Sequence, residues 1–187
     1  KQVTDNFQHL GHFNYPEPQP ILASDDQYCY RNKLEFTFTH QRWLSNEDMV
    51  AQQEGKPIEI RGLGFHVPGK FDKVLDIELC HLQAEPSNKI RLAVRDFAIQ
   101  NDIPFYNLRN HEGLLRNMVI RMSSTGELMV ILVVTDYNQQ SISVLDFLAE
   151  TFPEITSLQY VINQKMNDST SDLEFHTYRG KDSMMEK

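Results

Sequence analysis

The chain has 187 residues and a mass of 21.8 kDa, with 40% apolar and 24% charged residues. This composition excludes a disordered or collagen-like chain, and 8 glycines and 8 prolines are too few for a low-complexity one. The longest apolar run, Leu128–Val134, is far shorter than the roughly 18 residues that a membrane-spanning helix needs. The sequence therefore predicts a soluble globular protein with no membrane partner.

The cysteines indicate the cellular compartment, and the two ends of the sequence indicate that it is part of a longer chain. Cys29 and Cys80 lie far apart and form no CxxC motif, which favours a reducing cytoplasm over a disulfide-bonded secreted protein. The first residues carry no hydrophobic segment of a signal peptide. The sequence starts at Lys1 and ends shortly after a predicted strand, so we expect both ends to be cut from a longer chain.

Charge is distributed unevenly along the sequence. The net charge of −8 argues against a general nucleic-acid binder. Residues 1–60 hold 5 Lys/Arg against 9 Asp/Glu, residues 61–121 hold 9 against 7, and residues 122–187 hold 4 against 10. The middle segment alone is positive, at +2 (9 minus 7), and could meet phosphate. Ordinary solvated faces would explain the same pattern.

The first half of the sequence predicts one helix and three strands. Apolar spacing indicates a short helix over 3–10, and three prolines make 14–20 an extended linker. From Tyr30 the apolar period becomes two, with Leu34, Phe36 and Phe38 on one face and Arg31 and Lys33 on the polar face. The polar stretch 45–57 is predicted to be a loop. Two further strands are expected over 62–69 and 73–79.

The second half predicts two helices, a hairpin and two more strands. Behind Pro86, residues Ile90, Val94, Phe97 and Ala98 form an apolar stripe. Arg91 and Arg95 are expected on the helix surface away from that stripe. The other elements are a hairpin of strands over 115–122 and 127–135, a helix over 141–152, and strands over 158–163 and around 173–177.

This order predicts an α+β fold, a mixed and mostly antiparallel sheet with two main helices packed on it. We divide the chain into residues 1–28, an N-terminal helix with a proline-rich linker, and residues 29–187, a central α+β domain. The sequence lacks the GxSxG, HExxH, Walker and EF-hand motifs, and its seven histidines show no metal-ligand spacing. From the residues alone, no catalytic site is predicted.

Several segments together resemble the central region of the RNA (uracil-5-)-methyltransferases, over about residues 3–180. They are Tyr-Arg-Asn-Lys-Leu-Glu-Phe at 30–36, Gly-Phe-His at 64–66, Asp-Ile-Glu-Leu-Cys at 76–80, Gly-Leu-Leu-Arg-Asn-Met-Val-Ile-Arg at 113–121, Leu-Gln-Tyr-Val-Ile-Asn-Gln-Lys-Met-Asn-Asp at 158–168, and His-Thr-Tyr-Arg-Gly at 176–180.

The resemblance implies that the parent protein is an enzyme. Members use S-adenosylmethionine to methylate C5 of a uridine in structured RNA. A cysteine thiolate adds to C6 of the uracil, which must first leave its stack. By the resemblance, the catalytic domain lies beyond the C-terminus of this chain, which itself would lack the catalytic residues. The branch that acts on 23S ribosomal RNA is favoured over transfer RNA. A non-catalytic RNA-binding or protein-interaction module is the alternative.

The resemblance also suggests site residues. Cys80 matches the fourth ligand of a [4Fe-4S] cluster in the parent, whose other ligands would lie before Lys1, so this fragment alone is expected to bind no cofactor. A packing role is the alternative for Cys80, and Cys29 is expected to be a small buried or half-buried residue. The predicted RNA contacts are Arg31, Lys33, His66, Arg116 and Asn117. A solvated strand face and a structural histidine are the competing interpretations, and Phe36 and Phe38 are predicted to be core residues.

Overall fold

The computed structural model describes residues 1–187 and contains one seven-stranded sheet. The strands are β1 (Lys33–Thr39), β2 (Gly62–Val67), β3 (Lys70–Leu75), β4 (Leu115–Met122), β5 (Leu128–Val134), β6 (Ser157–Ile162) and β7 (Phe175–Gly180). Their spatial order is β3-β2-β1-β4-β5-β6-β7. All neighbours pair antiparallel except β5 and β6, which are parallel. The predicted α+β class with a mostly antiparallel sheet is therefore confirmed.

Four α-helices accompany the sheet. They are α1 (Gln2–Asn6), followed by a π-helical turn (Phe7–Gly11), α2 (Asn46–Gln53), α3 (Ser87–Gln100) and α4 (Gln139–Thr151). The two longest, α3 and α4, pack on the same face of the sheet, as predicted, and α4 is the crossover between parallel β5 and β6. The rings of Phe97 and Phe147 stack at 4.2 Å between the two helices. No helix is long and apolar enough to span a bilayer.

The core lies between the sheet and these two helices. Alternate residues of β1, including Phe36 and Phe38, are fully buried in it, which confirms their predicted core role. β5 is buried along its whole length because Leu128, Val130, Leu132 and Val134 face the helices. Its other residues face a second, smaller apolar cluster on the opposite side. A central strand covered on both faces carries such a continuous apolar run.

Four local predictions were wrong. Residues 45–57 are not all loop, because Ser45 caps α2 in a reciprocal capping box with Asp48. Arg91 is buried rather than on the helix surface, since its guanidinium donates to the carbonyl of Leu63 at 3.0 Å. Arg31 precedes β1 instead of belonging to it. The strand expected over 73–79 begins at Lys70 and ends at Leu75.

Gly64 allows β2 and β3 to approach each other closely. A Cβ atom at this position would lie 2.0 Å from the carbonyl oxygen of Leu75, so any side chain would push the strands apart. Two residues later, His66 pairs with Val74, and the register shifts between His66 and Val67 near the hairpin turn. The division of the chain at residue 28 stays a prediction. Residues 1–28 contain α1 and the π-helical turn, and no strand.

Candidate nucleic-acid interface

The sheet face opposite the main helices carries the exposed polar residues of β1 and β2. Because side chains alternate along a strand, Lys33 and Glu35 point away from the core that holds Leu34 and Phe36. His66 is exposed, whereas its neighbour Phe65 packs against the helix-side core. Two of the predicted RNA contacts, Lys33 and His66, therefore lie on one accessible face.

Two cations face each other on this side of the sheet. Lys33 pairs directly with Arg121 across the antiparallel β1–β4 ladder. Neither residue forms an ion pair, although 13 ion pairs occur elsewhere in the protein. Like charges at directly opposed positions destabilise a sheet, and a bound anion would relieve that repulsion. Arg31 is also exposed and without an ion pair, two residues before Lys33.

Glu35 places one carboxylate beside these cations. Partial burial and the charge of Asp168 raise the pKa of Glu35, and the positive charges of Lys33 and His66 act in the opposite direction. Glu35 thus lies within electrostatic range of Lys33, His66 and Asp168, although the four residues come from three separate segments. The face therefore carries carboxylates as well as cations.

Arg116 is buried, with 1% of its surface exposed. Its guanidinium donates to the carbonyl oxygens of Asn163, Lys165 and Asn167 and to Oδ1 of Asp168, at 2.5 to 3.0 Å. It also lies 4.2 Å from the centre of the Tyr106 ring. We therefore assign Arg116 to holding the 163–168 loop against β4, in place of the phosphate contact that the sequence suggested.

Asn117 is buried as well. Its Nδ2 donates to Oγ1 of Thr37 at 3.2 Å across the β1–β4 ladder, and its Oδ1 is buried without a hydrogen-bond partner. This position ties two central strands together. The structure does not present Asn117 to a ligand on the surface, because 3% of the residue is exposed.

A concavity of 570 Å³ includes His66, which lies on the strand next to that of Lys33. It is lined by residues of β2, β3, the loop after α3 and the loop after β6, namely His66, Phe71, Leu108, His111, Met166 and Asp168. Phe71 and Met166 are large apolar side chains with 67% and 76% of their surface exposed. The concavity thus combines exposed apolar surface with two imidazoles and a carboxylate.

Cys80 lies at a buried position just before α3. Its backbone is fixed by Asn88, whose Oδ1 accepts from the Cys80 amide at 2.8 Å and whose Nδ2 donates to the Cys80 carbonyl at 3.1 Å. The side chain is part of the main apolar core, with 6% of the residue exposed. No three His, Cys, Asp or Glu residues come together as a metal site. The residues of this chain therefore do not form a cluster site among themselves.

Cys29 differs from its predicted environment because it is exposed. Its amide donates to the carbonyl of His81 at 2.8 Å, which places it next to the Cys80 segment. Cys29 adopts a left-handed backbone conformation, with φ of 56°. The sequence did not indicate this proximity, because the two residues are 51 positions apart (80 minus 29).

Sequence reasoning missed Arg121, Phe71 and Met166. Arg121 lay inside a segment quoted for its resemblance, but its position opposite Lys33 depends on strand register. Phe71 and Met166 are single apolar residues in polar surroundings, and only their shared concavity distinguishes them from scattered surface residues. No periodic signal would have identified either one.

Comparison with known proteins relates the chain to bacterial enzymes. It is 51% identical over 191 residues to an uncharacterized RNA methyltransferase of Bacteroides thetaiotaomicron and 48% identical to one of Porphyromonas gingivalis. The chain is homologous to a segment of these RNA methyltransferases. Both alignments cover 100% of this chain, and the chain spans 42% and 41% of the length of those two relatives. No family model matches it.

A solved structure supports the fold of this RNA methyltransferase homologue. The tRNA (uracil-54, C5)-methyltransferase of Pyrococcus abyssi, in complex with S-adenosyl-L-homocysteine, superposes with a TM-score of 0.59 at 22% identity. The match covers 88% of the homologue and 34% of the archaeal chain. At this identity the comparison establishes a shared fold, and the resemblance to an RNA methyltransferase family is confirmed by the bacterial relatives.

Proposed function

We propose that this homologue provides part of the RNA-binding surface of an S-adenosylmethionine-dependent RNA uracil-C5 methyltransferase. The observation that carries this proposal is the cross-strand pair Lys33 and Arg121, two exposed cations that form no ion pair, although Glu35 and Glu186 lie within electrostatic range of them. An RNA phosphate placed between them would remove their repulsion and accept from both. The names of the bacterial relatives, and the archaeal tRNA (uracil-54, C5)-methyltransferase that shares the fold, support the reaction class.

In this proposal the chain binds and orients RNA. Arg31, Lys33 and Arg121 contact phosphates, and His66 lies where it can reach a phosphate or a base edge. Bound S-adenosylmethionine would supply the methyl group. The pKa values of Asp48 and Glu59 are lowered by hydrogen bonds from arginines, and those of Glu127 and Asp172 by hydrogen bonds from lysines. Ion pairing accounts for these shifts, and on the strength of the resemblance we propose that residues outside this chain carry out the methyl transfer.

The substrate class we propose is 23S ribosomal RNA, on the strength of the Cys80 context in the sequence. The archaeal neighbour acts on tRNA, so both must be tested. The protein, in a form that spans the length of its relatives, is offered labelled S-adenosylmethionine with 23S RNA and bulk transfer RNA in parallel. Label at uridine C5 of 23S RNA alone supports the proposal. Label in transfer RNA alone contradicts the substrate class, and label in neither contradicts the reaction.

The cluster assignment is tested separately. We propose that Cys80 provides one thiolate to a [4Fe-4S] cluster whose other ligands this chain does not contain. Its support is the resemblance, together with the rigid backbone that Asn88 provides. Cys80→Ser in the longer form should lower the iron content per protein, and Cys29→Ser is the matched control. If Cys80→Ser contains as much iron as the wild type, Cys80 is a packing residue and not a cluster ligand. We also propose a cytoplasmic location, because two cysteines that form no disulfide favour a reducing compartment.

Measurements of RNA binding by this chain test directly whether Lys33 and Arg121 contact phosphate. The Kd for a single-stranded RNA is measured over a series of salt concentrations for the wild type, Lys33→Gln and Arg121→Gln. Each variant should weaken binding and reduce the slope of log K against log salt by about 0.7, the value for one phosphate contact. Lys89→Gln, which removes an exposed and unpaired charge from α3, is the matched control and should bind like the wild type. Equal slopes in all four proteins would favour a protein-interaction module.

A further inference from the structure

We propose that the concavity beside Lys33 receives one unpaired nucleobase of the bound RNA, stacked on the ring of Phe71. This inference rests on the proposed RNA-binding function and extends it to a feature of the substrate, an unstacked base next to the bound phosphate. Its support comes from the exposure of Phe71, the way the ring is held, the composition of the concavity and its position relative to the cations.

The Phe71 ring lies beside an arginine that an ion pair holds. The Arg109 guanidinium lies 5.4 Å from the centre of the Phe71 ring, and Arg109 Nε donates to Oδ2 of Asp72 at 2.6 Å. Asp72 is itself buried, so the arginine is fixed from below. Most of the ring nevertheless remains exposed to solvent. An aromatic ring that is both exposed and preorganised can stack on a base with little loss of side-chain entropy.

The opposite loop is equally well anchored. Met166 lies between Lys165 and Asn167, and the carbonyls of both neighbours accept hydrogen bonds from the buried guanidinium of Arg116. The exposed Met166 side chain therefore extends from a fixed loop. Flexible, polarizable methionine adapts to a flat aromatic surface. With Leu108, it provides further apolar surface in the same concavity.

Polar groups line the concavity at positions suited to a base edge. The Nδ1 atom of His111 lies 3.3 Å from the Tyr106 hydroxyl, whereas its Nε2 has no partner within the protein. Asp168 uses Oδ1 to accept from Arg116, and its Oδ2 accepts no hydrogen bond. One imidazole nitrogen and one carboxylate oxygen thus remain available, and His66 adds a second imidazole. A base presents both donors and acceptors on its edge, which such a mixed set can pair with.

The concavity lies near the strand that carries Lys33. Asp168 and His66 line it, and both act electrostatically on Glu35, the neighbour of Lys33 on the same strand face. In this proposal, a nucleotide whose phosphate binds Lys33 places its base in the concavity, against Phe71. Bases in a duplex are stacked and paired, so only a single-stranded or flipped base could enter.

The test compares single-stranded and duplex RNA of the same sequence. Phe71→Ala should weaken single-strand binding about tenfold, within the range for losing one base–aromatic stack, and leave duplex binding unchanged. Phe71→Trp should restore it. Phe175→Ala, which removes another exposed phenylalanine from β7, is the matched control and should bind like the wild type. Thermal unfolding of each variant confirms that the exposed substitutions leave the fold intact.

The outcomes separate this inference from the proposed function. If Phe71→Ala binds single-stranded RNA like the wild type while Lys33→Gln binds weakly, the base site is refuted and phosphate binding stands. Equal losses for duplex and single strand, or equal losses in Phe71→Ala and Phe175→Ala, also refute the base site. If the wild type binds neither RNA, the proposed function fails together with the inference.

Discussion

Removing the guanidinium of Arg116 tests whether this residue anchors the 163–168 loop. Arg116→Met keeps the length of the side chain but removes four hydrogen bonds and the contact with the Tyr106 ring. Loss of one partner of a buried ion pair costs about 3–5 kcal/mol. Because 36% of the Asp168 side chain is exposed and can be hydrated, we expect the lower end, about 3 kcal/mol. For a chain of this size that lowers Tm by about 6–12 °C.

Urea unfolding and calorimetry measure this loss. Limited proteolysis should also show faster cleavage within residues 163–172, because the loop carbonyls lose their donor. Arg31→Met is the matched control, and as an exposed arginine without an ion pair it should change stability by less than about 0.5 kcal/mol. If Arg116→Met lowers the free energy of unfolding by less than about 1 kcal/mol, the anchoring role is refuted, because losing one partner of a buried ion pair costs more than that. Lost RNA binding at unchanged stability would instead restore the direct contact suggested by the sequence.

Two carboxylates give further predictions. Hydrogen bonds from Arg42 and the α2 cap hold the pKa of Asp48 well below its ordinary value of 3.8. The ion pair of Arg42 and Asp48 therefore stabilises the fold above pH 3.8, and this stabilisation is lost as the pH falls through the lowered pKa. The urea midpoint of the wild type should therefore exceed that of Asp48→Asn at pH 7, and the difference should shrink below about pH 4; a constant difference would contradict this. Glu35→Gln should strengthen RNA binding about two- to fivefold, because its carboxylate stands beside Lys33 and repels phosphate, whereas Glu154→Gln should not. Weaker binding by Glu35→Gln would place the RNA elsewhere.

The local spacing of apolar residues was sufficient to predict most of the helices and strands. The alternation of Leu34, Phe36 and Phe38 predicts β1 because a half-buried strand needs one apolar face. The stripe from Ile90 to Ala98 predicts α3 for the corresponding reason at a period of 3.6. The α2 helix was missed because its eight residues bury no side chain, and apolar spacing is the signal on which the prediction relied. Its capping box is the local signal that could have identified it.

The charged residues were harder to place. A helical arginine such as Arg91 is normally exposed, and here it is buried because β2 offers the carbonyl of Leu63 as an acceptor. Arg116 is buried because carbonyls of a loop about 50 positions later surround its guanidinium. Sequence identifies such residues as cations but does not indicate which carbonyls lie near them, since those come from distant segments.

The sequence by itself determined the fold class, the core strands and the family resemblance, because each depends on local periodicity or on short segments in a given order. The tertiary structure decided which polar residues are accessible. Strand register placed Lys33 opposite Arg121, and the pairing of β2 with β1 brought His66 to the same face. Loops from separate parts of the chain then joined Phe71 and Met166 in one concavity. Pairing of distant segments creates a binding surface, and no local pattern encodes which segments pair.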